Sequence, residues 1–461
     1  MDAPLHISSL LRPVGFSGAA SLHRSEKRHF QTQIGTGICR VNTLPLSARY
    51  HKNLLSQPVL SRTYSRPNWA EVSLSALRHN FRLLQRHVGP EVTICSVVKC
   101  DAYGHGYAEC ARALQDEGGR WFGVTSTDEG VALRESGITG RVLIMVGVWR
   151  GEEEDALHYS LTPAISRIDE LDALARAARK LGLSRPVAVH LKVDTGMARL
   201  GLPLAELEKF VAALGRAPEI ELEGVFSHLA SSEVLDDSDA RQQIRRFEEA
   251  LSVLARHGLN PPIRHLANSS AAIARPEARY NFIRPGLAIY GYQLPFLSGD
   301  GDLADTASAR LELQPVLQWK TRVISLRDVA AGQPLGYGGT YVTSAPARIA
   351  VIAAGYGDGY SRKNSYPRNG KVSAESSNGN VRDRSSVLVR ARRAPVLGRV
   401  SMDTTIVDVT HIGDCEIGDE VVLIGRSGGE EITAWDLARW SETLPYEVLC
   451  NLSERVLRRY V

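Results

Sequence analysis

The 461-residue chain is 43% apolar and 23% charged, with a formal net charge of +4. That length can bury two or three cores, the near-neutral balance offers no basic surface for nucleic acid, and no run approaches the ~18 apolar residues of a membrane span. Cysteines at 39, 95, 100, 110, 415 and 450 make neither a C-x-x-C pair nor a disulfide framework, which suits a reducing, cytoplasmic compartment. No metal site is expected.

Residues 1–66 are rich in Arg and Ser, with only Asp2 and Glu26 acidic. They read as a poorly ordered extension without catalytic content, the other reading being an organelle transit peptide. Beyond them, Ser73 or Ser75 is a plausible cap for a helix. Eight short, β-branched runs then follow: Val92–Lys99, Trp121–Ser126, Val142–Gly147, Leu161–Ser166, Val187–Asp194, Leu222–Leu229, Ile263–Ser269 and Phe282–Gly291. Helical patterns separate them, the longest at Asp239–His257, where Ile244, Phe247, Leu251 and Leu254 fall on one face. Eight strands alternating with helices spell an α/β fold, a (β/α)8 TIM-type barrel over residues 67–305. An open doubly wound sheet competes, since periodicity cannot show closure, but no G-x-G-x-x-G follows the first strand.

From residue 306 to 461 short alternating strands predict a mainly-β domain: Val316–Leu326, Ala347–Ala354, Val387–Val389, Ala394–Val400, Thr404–Val409 and Glu420–Ile424. The polar, Ser/Asn/Gly/Arg-rich segment 363–386 reads as an exposed loop insertion.

Lys99 ends the first apolar run, and Cys100-Asp101-Ala102-Tyr103-Gly104-His105-Gly106 follows at once. A lysine at the mouth of a buried strand either snorkels to water or works as an amine of lowered pKa. Barrels carry working groups at the C-terminal ends of their strands. Lys99, Lys192 with Asp194, His228, Asn268 with Ser269, and Arg284 fall at such ends on five strands. Each alone has an ordinary structural reading; together they mark a site.

Five motifs then agree: Val97–Gly106; Lys192-Val193-Asp194-Thr195-Gly196-Met197-Ala198-Arg199; Arg284-Pro285-Gly286-Leu287-Ala288-Ile289-Tyr290-Gly291; Gly336-Tyr337-Gly338-Gly339-Thr340-Tyr341; and Gly398-Arg399-Val400-Ser401-Met402-Asp403. Across residues 67–461 they resemble the alanine racemase family, departing from it at Cys100, where alanine is usual, and Ser401, where cysteine is frequent. The resemblance implies the barrel-plus-β-domain architecture, with the first strand (67–74) pairing with the C-terminal domain. It implies pyridoxal 5'-phosphate joined to Lys99, and interconversion of L- and D-alanine by two bases, Lys99 and Tyr337, on opposite faces. Tyr337 would reach across from a second subunit of a homodimer with shared sites.

By the same resemblance Arg284 faces the pyridine nitrogen and disfavours its protonation, while His228 links Arg284 to the tyrosine. Tyr103, Asn268, Ser269, Gly286, Leu287 and Tyr446 hold the cofactor. Arg199 serves the phenolic oxygen and the substrate carboxylate, Met402 the carboxylate, and Tyr356 and Asp403 the entrance. Lys192 is a candidate for carbamylation. The implied role is D-alanine supply for peptidoglycan. A serine or broad-specificity racemase would keep every motif. A barrel decarboxylase of basic amino acids, or a non-catalytic pyridoxal-phosphate carrier, would lack the paired motifs of the second domain.

Overall fold

The first strand, β1 (Asn68–Val72), stands apart from the strands that follow it and joins the second sheet instead. The computed structural model describes residues 66–235, 238–298, 303, 311–366 and 384–461. The expected N-terminal extension and most of the expected insertion lie outside these residues.

Eight parallel strands follow: β2 (Thr93–Val97), β3 (Trp121–Val124), β4 (Arg141–Ile144), β5 (Thr162–Ile165), β6 (Val187–Asp194), β8 (Ile220–Phe226), β9 (Ile263–His265) and β10 (Phe282–Ile283), with the two-residue β7 (Leu202–Pro203) beside β6. They pair in the order β10-β2-β3-β4-β5-β6-β8-β9. The Arg284 N–H donates to the Ala267 carbonyl at 3.0 Å, carrying the ring across from the β9 side to the β10 side. A barrel, not an open sheet, results. Trp121–Val124 and Thr162–Ile165 are buried throughout, as strands covered on both faces must be. The helices supply the outer cover. Ile168–Leu181 buries Leu171, Leu174, Ala175 and Ala178 at helical spacing and ends on Gly182 at φ 61°.

All eight expected strands occur in order. The last two are much shorter than their apolar runs suggest, because pairing stops at His265 and Ile283 and the chain turns into the site. Lys99 also leaves the strand: β2 ends at Val97 and Lys99 opens a helical turn.

The second sheet is antiparallel except at its last pair. It is built from β11 (Leu317–Val329), β14 (Ala347–Ile352), β15 (Ser386–Val389), β16 (Arg392–Leu397), β17 (Thr405–Asp408) and β18 (Glu420–Ser427). The long β11 pairs with β14 through one half and with β18 through the other, bending at register shifts, so the order β11-β14-β17-β16-β15-β18 closes on itself. Between β11 and β14 lies the small hairpin β12 (Pro334–Leu335) with β13 (Tyr341–Val342), and β19 (Glu430–Ile432) pairs with β18. β1 runs antiparallel to β11 and parallel to β20 (Leu457–Tyr460). The first helix, Leu74–Val88, is capped by Ser73, whose Oγ accepts from Ala76 N–H. Inside this helix the fully buried Asn80 donates to the Ile289 and Gln314 carbonyls at 3.0 and 2.8 Å and accepts from Gln314 N–H at 2.8 Å. It fastens the helix to the connection between the two sheets. Among the described residues no helix is long and apolar enough to cross a membrane.

Candidate active site

Lys99 is half-buried and begins a turn that winds the wrong way. Cys100, Asp101, Ala102 and Tyr103 all have φ of 53–54° and ψ of 42–52°, four successive non-glycine residues in the left-handed region. Each costs about 1–2 kcal/mol there, so the surroundings must enforce the shape. His105 is fully buried, and its Nδ1 lies 2.8 and 3.0 Å from the Tyr103 and Ala102 carbonyls. Asp101 accepts from Tyr107 N–H, Glu129 accepts from Cys100 N–H, and Arg458 donates to the Gly104 carbonyl. Gly104 is pressed so close to the helix Pro445–Cys450 that a Cβ would lie 2.2 Å from the Leu449 carbonyl oxygen.

Around His228 stands a concentration of positive charge that includes Lys99. Burial, with Arg284, Arg199, Lys192 and Lys99 acting in the same direction, pulls His228 down to about 3. Burial and the cations of Arg284, Arg199 and Lys99 lower Lys192 to about 8, with Asp194 opposing. Asp194 turns its carboxylate to its own loop, accepting from the Gly196 and Ala198 N–H groups at 2.9 and 3.1 Å, and so holds the segment that presents Arg199. Four cations meeting at the ends of different strands are suited to an anion of more than one charge.

The other wall supplies hydroxyls and backbone donors. Ser269 Oγ accepts from Gly286 N–H at 3.0 Å and Ala288 N–H at 3.3 Å. A Cβ at Gly286 would lie 2.2 Å from the Tyr103 hydroxyl oxygen, so only glycine fits. Burial pushes Tyr103 well up and Tyr446 to about 12, which keeps both phenols as donors; their rings lie 5.9 Å apart. Leu287 is buried beneath. Asn268 holds the adjoining backbone, where its Oδ1 caps the short helix Ser269–Ala274 and its amide donates to Ser232. Arg284 is buried, drops to about 10 through burial, and stays charged at neutral pH.

The second-domain candidates form their own surface. Tyr356 N–H donates to the Ser401 carbonyl at 3.0 Å and Gly357 N–H to the Met402 carbonyl at 2.9 Å, while Arg455 bridges Asp403 and Asp358. Tyr337 lies between Gly336 and Gly338, which have φ of 66° and 73° and pack against Arg399. Tyr337, Met402 and Tyr356 are 69%, 53% and 43% exposed. Among the described residues no hydrogen bond, ion pair or ring contact joins these three to the barrel group.

Two family models match the chain, the alanine racemase N-terminal domain over residues 72–294 and the C-terminal domain over 316–460. An alanine racemase from Symbiobacterium thermophilum is 42% identical over 395 residues, covering 86% of this chain and 97% of that protein. The chain belongs to the alanine racemase family. Another member, from Syntrophobacter fumaroxidans, is 40% identical over 85% of this chain and 97% of its own. Crystal structures agree: alanine racemase from Streptomyces lavendulae superposes with a TM-score of 0.74 at 32% identity, and the biosynthetic enzyme of Pseudomonas aeruginosa with 0.71 at 34%, each over 86% of this chain and 97% and 99% of theirs.

Family motifs do not announce the residues behind Arg284. His265 and His190 are both fully buried, and Arg284 Nη1 lies 2.8 Å from His265 Nδ1. Nor do they announce Arg455, which bridges Asp403 and Asp358. A histidine inside a barrel strand is the available signal, and His190 lies in β6 two residues before Lys192.

Proposed function

We propose that the site interconverts L- and D-alanine with pyridoxal 5'-phosphate held covalently at Lys99, in a homodimer whose second subunit supplies Tyr337. That the chain is an alanine racemase, an isomerase, follows from its family; the cofactor, residue roles and assembly are the proposal. The observation that carries it is the gathering of Lys99, Lys192, Arg199 and Arg284 around His228, with Arg284 Nη2 3.4 Å from His228 Nδ1, across from the Tyr103, Ser269 and Tyr446 hydroxyls: an amine for an aldehyde and donors for a phosphate. When bound, the cofactor supplies the electron withdrawal that acidifies the substrate α-carbon.

Lys99 Nζ accepts or returns the α-proton on one face, and the Tyr337 hydroxyl does so on the other. Arg199 receives the substrate carboxylate, helped by the Met402 backbone. Tyr103, Ser269, Tyr446 and the Gly286–Leu287 backbone bind the phosphate. The buried Arg284 presents a permanent cation where a carboxylate would favour protonation of the ring nitrogen. Tyr356 and Asp403 line the entrance. Lys192, surrounded by cations and lowered to about 8, has enough neutral amine near neutrality to add carbon dioxide. The resulting carbamate would turn a repulsive neighbour of Arg199 into an attractive one. We place the enzyme in the cytoplasm, supplying D-alanine for peptidoglycan.

The test is α-hydrogen exchange with each enantiomer of alanine. Lys99→Ala should lose exchange with both, while Tyr337→Phe should lose racemisation yet retain exchange of one enantiomer. Wild-type turnover in Tyr337→Phe would remove the tyrosine from the reaction.

A further inference from the structure

A chain of polar contacts, part-exposed at Arg141 and fully buried at its two histidines, runs up the inside of the barrel from the end remote from the site. Arg141, the first residue of β4, grips Glu223 of β8 through both carboxylate oxygens and donates to Thr162 at the start of β5 at 3.0 Å, its guanidinium 4.3 Å from the Trp121 ring. Glu223 Oε2 lies 3.3 Å from His190 Nε2. His190 Nδ1 is 2.8 Å from His265 Nε2, and His265 Nδ1 is 2.8 Å from Arg284 Nη1. Both imidazoles are fully buried. Gly224 makes room for the first, since a Cβ there would lie 2.6 Å from its ring, and Phe226 stacks on the second at 4.6 Å.

The two ends dictate every hydrogen between them. A carboxylate only accepts and a guanidinium only donates. His190 must therefore carry its hydrogen on Nε2, toward Glu223, leaving Nδ1 bare. His265 must then donate from Nε2 and offer a bare Nδ1 to Arg284. The opposite tautomer of either ring, or a second proton on either, sets two donors face to face. We propose that Glu223, clamped by Arg141, is a positioning residue for Arg284: it fixes His190 and His265 as Nε2–H tautomers and so keeps an acceptor beneath the guanidinium. His265 and Ser227 carbonyls, at 3.2 and 2.7 Å, accept two more of the Arg284 hydrogens. The inference deepens the proposed function, resting on it for the part Arg284 plays toward the cofactor.

Neutron diffraction from deuterated wild-type crystals reads the relay directly. Deuterium on Nε2 and not on Nδ1 of both rings is expected; deuterium on Nδ1 of either overturns the proposal. A second arm uses Glu223→Leu. In protein that melts cooperatively, kcat for alanine should fall roughly ten- to a hundredfold with KM within about twofold, and the absorption band of the bound cofactor should shift. Unchanged kcat and band in that folded variant overturn it as well, and if the variant does not fold the neutron map decides. Wild-type protein with the expected deuterium pattern but no racemase activity would uphold the relay and sink the functional reading.

Discussion

Gly286 shows how one missing carbon shapes the site. Tyr103 is buried against Tyr290, with ring centroids 4.9 Å apart, and cannot retreat from a methyl group 2.2 Å from its oxygen. Gly286→Ala should therefore cost roughly 1–3 kcal/mol of overpacking, seen as about ten- to a hundredfold weaker cofactor binding in a spectroscopic titration. An unchanged Kd would show that Tyr103 does not press on the Gly286 loop. At this scale the sequence was most legible where chemistry is rare: a lysine at a strand mouth and an arginine before Pro-Gly. Asn268 carries a second duty that a strand-end amide does not announce, since the same side chain caps the helix that follows it.

Among elements, the barrel strands were readable because parallel strands covered on both faces become short apolar runs. Their ends were not, since Leu266, Ala267 and Leu287–Tyr290 are as apolar and as buried outside the ladder as inside it. The helices Ala434–Ser441 and Pro445–Cys450 escaped notice although Thr433 and Asp436 form a capping box; both are too short for a clear period. Asn80 was hidden for the opposite reason, a polar residue on the buried face of a regular helix. Asn80→Ala would strand the Ile289 and Gln314 carbonyls and the Gln314 N–H. A loss of roughly 2–4 kcal/mol in urea unfolding is expected. A loss within about 0.5 kcal/mol, the size of an ordinary surface change, would mean that water replaces the amide.

For the whole molecule, buried imidazoles set the response to acid. His228 and His105 fall to about 3 and 4, and His190 and His265 are lowered too, burial being the leading cause in each. Between pH ~6.5 and ~4 the unfolded chain binds protons on these rings that the folded chain refuses, so stability rises with pH across that window and is lost on acidification. The melting temperature should drop steadily below about pH 6.5; a flat profile to about pH 5 would contradict the assignment. The exposed Tyr337 face tests assembly. Mixing Lys99→Ala with Tyr337→Phe subunits leaves half of each hybrid dimer intact if the tyrosine works across the interface. Random exchange should then restore roughly a quarter of wild-type activity. No recovery would confine both groups to one subunit.

The counter-wound turn after Lys99 has a further consequence for anyone altering this enzyme. Cys100 is exposed, so glycine there forfeits little packing and relieves a conformation that disfavours any side chain. Cys100→Gly should raise the unfolding free energy by up to about 1 kcal/mol, measurable as a higher urea midpoint. The slackened lysine tether should slow turnover in the same molecule: here robustness and speed pull against each other at a single α-carbon.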